Sequence, residues 1–216
     1  MNSMRQVQTK AILKMMNNGL KVIDPNRVDI RGELQFGSNV TVDINVIFVG
    51  KVVLKDNVKI GPNCIINDAT IGENVIIKEY SSLEGALIEN ECIIGPYARI
   101  RPISKIGYKS QIGNFVEIKN TTMGYNCKIN HHSFIGDATL GDDVIIGAGC
   151  ITCNYKDGQT FHTIINDKVL IGAGSQLIAP IKIGSSVTIG AGSTITNDVE
   201  DNSMALARAR QVIVDK

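Results

Sequence analysis

The sequence contains no tryptophan, and aromatic side chains make up only 5% of its 216 residues. Sandwiches and doubly wound folds usually draw more of their core from rings. The core here must come from smaller aliphatic groups, chiefly Ile and Val. Neither sign of charge is in excess: 22 Lys and Arg stand against 21 Asp and Glu, a formal net charge of +1. That balance gives no support for a binder of nucleic acid or another polyanion. No apolar run approaches the ~18 residues of a membrane span. The N-terminal "MNSMRQVQTKAILKMM" lacks the uninterrupted apolar core of a signal peptide. The expectation is a cytoplasmic protein with no membrane or nucleic-acid partner. Histidine is scarce too, with two of the three residues adjacent in "INHHSFIGD", Ile129 to Asp137.

Glycine, at 21 residues, is plentiful, and much of it follows an aliphatic residue. Such pairs run from Ile60-Gly61 through Ile94-Gly95, Ile112-Gly113 and Ile146-Gly147 to Ile189-Gly190, mostly six or twelve apart with single-residue slips. Four residues after the aliphatic comes a small one, as at Cys64, Val75, Cys150, Ser175 and Ser193. This is a hexapeptide repeat. The aliphatic and the small residue point inward. The residues between them turn a tight corner, where Gly or Asn tolerates unusual dihedrals. Three hexads make a triangular coil of about eighteen residues, and coils stack at the strand spacing of ~4.8 Å. No coil buries its inner face alone. The fold class is therefore all-β, a parallel β-helix with a short N-terminal helix and an irregular C-terminal tail. The expected divisions are 1–20 for helix and linker, 21–200 for the β-helix and 201–216 for the tail, with the repeat clearest from Val28 to Asp198.

Met4 to Asn18 reads as a helix with Val7, Ile12, Leu13 and Met16 on one side, ended by "NNG" at 17–19, since Gly suits the residue after a helix. The hexad lapses from Asn154 to Lys168, which reads as a loop thrown out from a corner. From Asn202 the tail is expected to leave the repeat. Cys64, Cys92, Cys127 and Cys150 all fall on the small inward position, where Cys acts as a compact hydrophobe. Their phase argues against a metal or disulfide role.

Chemistry must then lie on outward or corner positions. Counting hexads puts Arg101 and Lys119 at the same site one coil apart, and Arg99 with Glu117 likewise. Two cations at that separation are unfavourable, so either they splay into solvent or an anion such as phosphate sits between them. His131 and His132 are both corner residues, and Ser133 is the small inward one. One coil above His131 lies Ala148 in "GAG", where small residues leave backbone exposed. A corner His beside exposed amides is either ordinary polar surface or a general base for acyl transfer with an oxyanion held by N–H groups.

The stretches "YARIRP", "IGNFVEIKN", "IGDATLGDDVIIGAGCITCNY", "TIINDKVLIGAGSQLIAPI" and "TIGAGSTITNDV", with "DPNRVDIRGEL" before and "LARARQ" after, resemble the C-terminal acetyltransferase domain of the bifunctional GlmU family (glucosamine-1-phosphate N-acetyltransferase/N-acetylglucosamine-1-phosphate uridyltransferase). The resemblance implies a left-handed β-helix, a homotrimer with active sites shared between subunits, and acetyl transfer from acetyl-CoA to glucosamine 1-phosphate on the way to UDP-N-acetylglucosamine and cell wall. It implies His131 as base, Glu117 as its partner carboxylate and Ala148 as the backbone oxyanion donor. It further implies Arg101 and Lys119 on the phosphate, and Asn154, Tyr155 and Phe134 at the sugar. Ala148, Ala173, Ala191 and Arg208 are implied at acetyl-CoA, and no metal is required for the transfer. The family's Tyr is Phe134 here, its sugar-contacting Asn is Ile145 and its loop Lys is Thr160. These departures leave open a second acceptor, another amino sugar phosphate or a nucleotide-linked amino sugar. A third reading is a β-helix that only oligomerises. The family's uridyltransferase domain has no counterpart in the chain, since no Gly-rich nucleotide loop precedes the helix.

Overall fold

The computed structural model describes residues 3–214. Short parallel strands stack coil upon coil, giving the left-handed parallel β-helix. One face is an eleven-stranded sheet running from Lys21–Val22 to Met204–Ala205. The other two faces merge into a 15-stranded sheet, because strands such as Asp29–Phe36, Glu117–Met123 and Phe134–Leu140 bend around the corner between them. Below, the eleven-stranded sheet is the first face, and the second and third follow in chain order.

The phase of the repeat places the core. Ile60, Ile94, Ile112, Ile129, Ile146 and Ile171 point inward and are at most 4% exposed. Each buried aliphatic side chain contributes about 1.5–3 kcal/mol relative to an exposed one. Among the described residues Phe48 is the one ring in the buried core, in keeping with the low aromatic content. Cys64, Cys92, Cys127 and Cys150 lie inward as expected, at most 2% exposed. The thiols of Cys64, Cys92 and Cys127 donate to carbonyl oxygens of Lys78, Gly107 and Gly141 at 3.1 Å.

Corners are built from left-handed residues stacked in register. Between the third and first faces, Asn39, Asn57 and Asn74 have φ near +60° and their side-chain amides hydrogen-bond in a ladder at 3.0 Å. Between the first and second faces the same position reads Asn45, Asn63, Tyr80, Tyr97, Phe115, His132, Gly149, Gly174 and Gly192. The rings of Tyr80, Tyr97, Phe115 and His132 stack with centroids 4.9–5.2 Å apart. Above them the three glycines leave the corner without side chains.

The helix runs Ser3–Asn17, and Gly19 at φ +105° completes its end. Gly19 N–H donates to Met16 O and Leu20 N–H to Met15 O, which satisfies carbonyls the helix leaves open. Its expected apolar side is buried only in part, through Ile12 and Met16. Ile12 is fully buried, but Val7 and Leu13 are 66% and 45% exposed. Met15 and Met16, both partly buried, pack against the core beside Ile12.

Two further boundaries differ from expectation. The excursion after Asn154 is shorter: Tyr155–Lys156 and Gln159–Thr160 form an antiparallel hairpin, and Thr163–Ile165 is already back in the third face with Ile165 buried. At the C-terminal side, Met204–Ala205 still pairs with Thr188–Ile189. The last coil presents a row of free N–H and C=O groups, and the chain turns back to use them. The tail leaves the coils only beyond Ala207, whose carbonyl accepts from Thr194 N–H at 3.0 Å.

Candidate active site

His131 ends the strand Lys128–His131 and is exposed at the corner between the first and second faces. Its Nδ1 lies 2.7 Å from Oδ1 of Asn114, the residue paired with it in the neighbouring strand. His131 borders a cavity of about 250 Å³ also lined by Lys78, Gly95, Pro96, Asn114 and Asn130.

Stacking aligns the other expected donor-site residues with His131. Gly149 N–H donates to His131 O, Gly174 N–H to Ala148 O and Gly192 N–H to Ala173 O. His131, Ala148, Ala173 and Ala191 thus occupy one corner position in successive coils. Among the described residues, the Ala148 N–H has no acceptor. At the end of the line, Arg208 Nη1 donates to Ala191 O at 3.1 Å. A cavity of about 640 Å³ beside it is lined by Leu206, Arg208, Ala209, Arg210 and Gln211.

The expected acceptor residues gather on the second face. Arg99 and Glu117 are register partners, and Arg101 N–H donates to Ile118 O, which seats Arg101 beside Lys119. The two cations are not left facing one another uncompensated. Arg101 Nη1 is 3.0 Å from Glu117 Oε1, and Arg99 Nη1 is 3.6 Å from Glu117 Oε2. Lys119 Nζ is 3.1 Å from Asp137 Oδ2. Charge repulsion alone therefore does not call for a phosphate between them. Within the chain Glu117 holds the arginines, while the imidazole partner is Asn114.

Asn154 is 8% exposed and its amide donates to Asp137. Tyr155 is 68% exposed in the hairpin, and Thr160 lies opposite it. Phe134 pairs with Glu117 and Ile151, and its ring lies over Gly136. Ile145 is 44% exposed beside Lys128 on the first face.

Sequence reasoning missed two residues. Asn114 precedes His131 by 17 residues, so the one-coil arithmetic that placed Arg101 by Lys119 would have found it. Asp137 resembles any charged corner residue in sequence. It is 6% exposed and accepts from Lys119, Asn120 and Asn154. Burial works to raise its pKa, but those three hydrogen bonds and the Lys119 charge outweigh it and hold the carboxyl below the usual range. Among the described residues no cluster of His, Cys, Asp and Glu could hold a metal ion, and no helix is long and apolar enough to cross a membrane.

The stacked coils and inward hexad make this a hexapeptide-repeat β-helix, and residues 51–85 and 162–197 match the family "Bacterial transferase hexapeptide (six repeats)". The particular relatives are bifunctional GlmU proteins. That of Baumannia cicadellinicola subsp. Homalodisca coagulata is 49% identical over 97% of this chain and 45% of its own length. Those of Stutzerimonas stutzeri and Blochmanniella pennsylvanica are 45% and 47% identical over 98% and 96% of this chain. A solved Arabidopsis UDP-N-acetylglucosamine acyltransferase matches with 20% identity and TM-score 0.46 over 83% of this chain and 69% of its own. The similarity to bifunctional GlmU proteins thus holds over nearly the whole chain. The chain spans about half the length of the curated relatives it matches.

Proposed function

We propose that the chain is an N-acetyltransferase that moves acetyl from acetyl-CoA to the amine of glucosamine 1-phosphate. The observation that carries this reading is the alignment of His131 with the open-backbone line of Ala148, Ala173 and Ala191, next to the cation-bearing second face. Asn114 Oδ1 accepts the Nδ1 proton of His131, leaving Nε2 free as base. Nε2 takes a proton from the acceptor amine as its nitrogen attacks the thioester carbonyl carbon. The Ala148 N–H donates to the oxyanion that forms. The C–S bond then breaks, and the sulfur leaves as CoA thiol after protonation. Arg101 and Lys119 hold the sugar phosphate, Asn154 and Tyr155 border the sugar, and Arg208 lies near the CoA phosphates. The working assembly is a homotrimer, in which a neighbouring copy covers the exposed corner, and the reaction is cytoplasmic and needs no metal.

His131→Ala tests the reading. Turnover, followed as thiol release, should fall by roughly three orders of magnitude with the circular dichroism unchanged. Transfer that survives this change would overturn the base assignment. Phe134, Ile145 and Thr160 favour a second reading, in which the same chemistry acts on another amino sugar phosphate or a nucleotide-linked amino sugar. A panel of such acceptors at fixed acetyl-CoA separates the two. A chain that binds no acetyl-CoA would instead be a purely structural β-helix.

A further inference from the structure

Three coils meet at one carboxylate. Asp137 sits at the corner between the second and third faces with φ +50°. Its Oδ1 accepts from Asn120 Nδ2 at 2.6 Å. Its Oδ2 accepts from Lys119 Nζ at 3.1 Å and from Asn154 Nδ2. Lys119 and Asn120 belong to the coil below and Asn154 to the coil above.

The backbone entering Asp137 is fixed as well. Gly136 N–H donates to Thr152 Oγ1 at 2.8 Å, and Thr152 Oγ1–H donates to Gly136 O at 3.0 Å. On the far side, Asn154 O accepts from Phe161 N–H at 2.7 Å and closes the base of the hairpin. The carboxylate therefore joins the phosphate-side lysine, the sugar-side asparagine and the foot of the Tyr155 hairpin.

Asp68 provides the contrast. It lies at the same corner, also at positive φ, and its Oδ1 accepts from the Lys51 backbone N–H at 2.8 Å. That bond also crosses to the coil below, but its donor is backbone. All three hydrogen bonds to the Asp137 carboxylate come from side chains, and two of those belong to the candidate acceptor site.

We infer that Asp137 is a positioning residue for the acceptor, fixing the Lys119 ammonium and the Asn154 amide at the separation the sugar phosphate requires. The inference rests on the acetyltransferase reading above. Asp137 does not touch the reacting atoms. It acts through Lys119 and Asn154, whose side-chain nitrogens both donate to its Oδ2. Misplacing a binding group by about 1 Å can cost up to a hundredfold in turnover.

The test is steady-state acetyl transfer by wild type, Asp137→Asn, Lys119→Met and the double variant, varying acetyl-CoA and glucosamine 1-phosphate separately. Asp137→Asn should raise the acceptor KM by about tenfold or more and leave the acetyl-CoA KM unchanged. In the Lys119→Met background the same change should have much less effect, because the residue it acts through is gone. Equal movement of both KM values, or independent multiplication in the double variant, would overturn the inference while leaving the function standing. A wild-type chain without transfer overturns the function and the inference together. Should Asp137→Asn not fold, Asn120→Gly removes only the Oδ1 donor at an exposed position that tolerates glycine. It should raise the acceptor KM by roughly threefold, and no rise would overturn the inference.

Discussion

Oδ1 of Asn114 lies 2.7 Å from Nδ1 of His131, one coil away in direct register. An amide oxygen only accepts, so this contact favours the proton on Nδ1 and the lone pair on Nε2, the nitrogen available as base. It also fixes the ring plane of an otherwise exposed corner side chain.

Asn114→Leu removes the acceptor while keeping a similar volume. The imidazole then samples the wrong tautomer and orientation for much of the time. kcat should fall by roughly ten- to a hundredfold, with the KM for both substrates little changed and the melting temperature held. Wild-type kcat after this substitution would show that Asn114 does not orient the base.

The contact also shows what was legible in the sequence. Phase alone put Ile129 and Ser133 inside, both histidines on a corner and four cysteines in the core, because inward and outward positions alternate on a fixed period. The same arithmetic paired Arg101 with Lys119. It did not show that Glu117 and Asp137 compensate them, because ion pairs depend on side-chain reach and rotamer rather than register. Val7 and Leu13 misled for a related reason: an apolar stripe buries only where something faces it, and the end of the prism takes Ile12 with Met15 and Met16 beside it. The hairpin from Tyr155 to Thr160 was visible only as a lapse in period, since a missing hexad says where the chain leaves the coil but not how soon it returns.

The inward cysteines predict a pH dependence of stability. Burial pushes the thiols of Cys64 and Cys127 up to about 11 and that of Cys92 up to about 12, against weaker lowering by nearby backbone. A raised folded pKa means the unfolded chain ionises first. The stability these groups confer is complete below the ordinary thiol value near 9 and is lost as pH rises from there through 11 to 12. The melting temperature should be level from pH 7 to about 8.5 and fall beyond pH 9. Substituting the three by Val should flatten that fall, and an unchanged slope would assign it to other groups.

Gly136 is held by close approach rather than by its dihedrals. A Cβ there would come within 2.6 Å of Phe134 Cζ and 2.8 Å of Asn154 Nδ2. Gly136→Ala should therefore push the ring and the amide apart without opening the core. The expected outcome is a stability loss of about 1–3 kcal/mol and an acceptor KM raised more than the acetyl-CoA KM. Thermal melts and separate substrate titrations measure the two effects. A loss of stability alone would remove Phe134 and Asn154 from the acceptor site.

Ile103 is the least comfortable corner residue. It is β-branched, sits at φ +62° between Gly85 and Asn120 in the corner stack, and is 77% exposed. A left-handed conformation costs a branched side chain roughly 1–2 kcal/mol, and an exposure of 77% leaves little packing to offset that. Ile103→Asn should raise stability by about 1 kcal/mol, which for a chain of this size is about 3 °C in melting temperature. The substitution is best measured at several protein concentrations. A gain at all of them identifies plain strain relief. A loss that deepens on dilution would show that a second copy of the chain covers Ile103, so that the strained side chain is retained for the contact between copies.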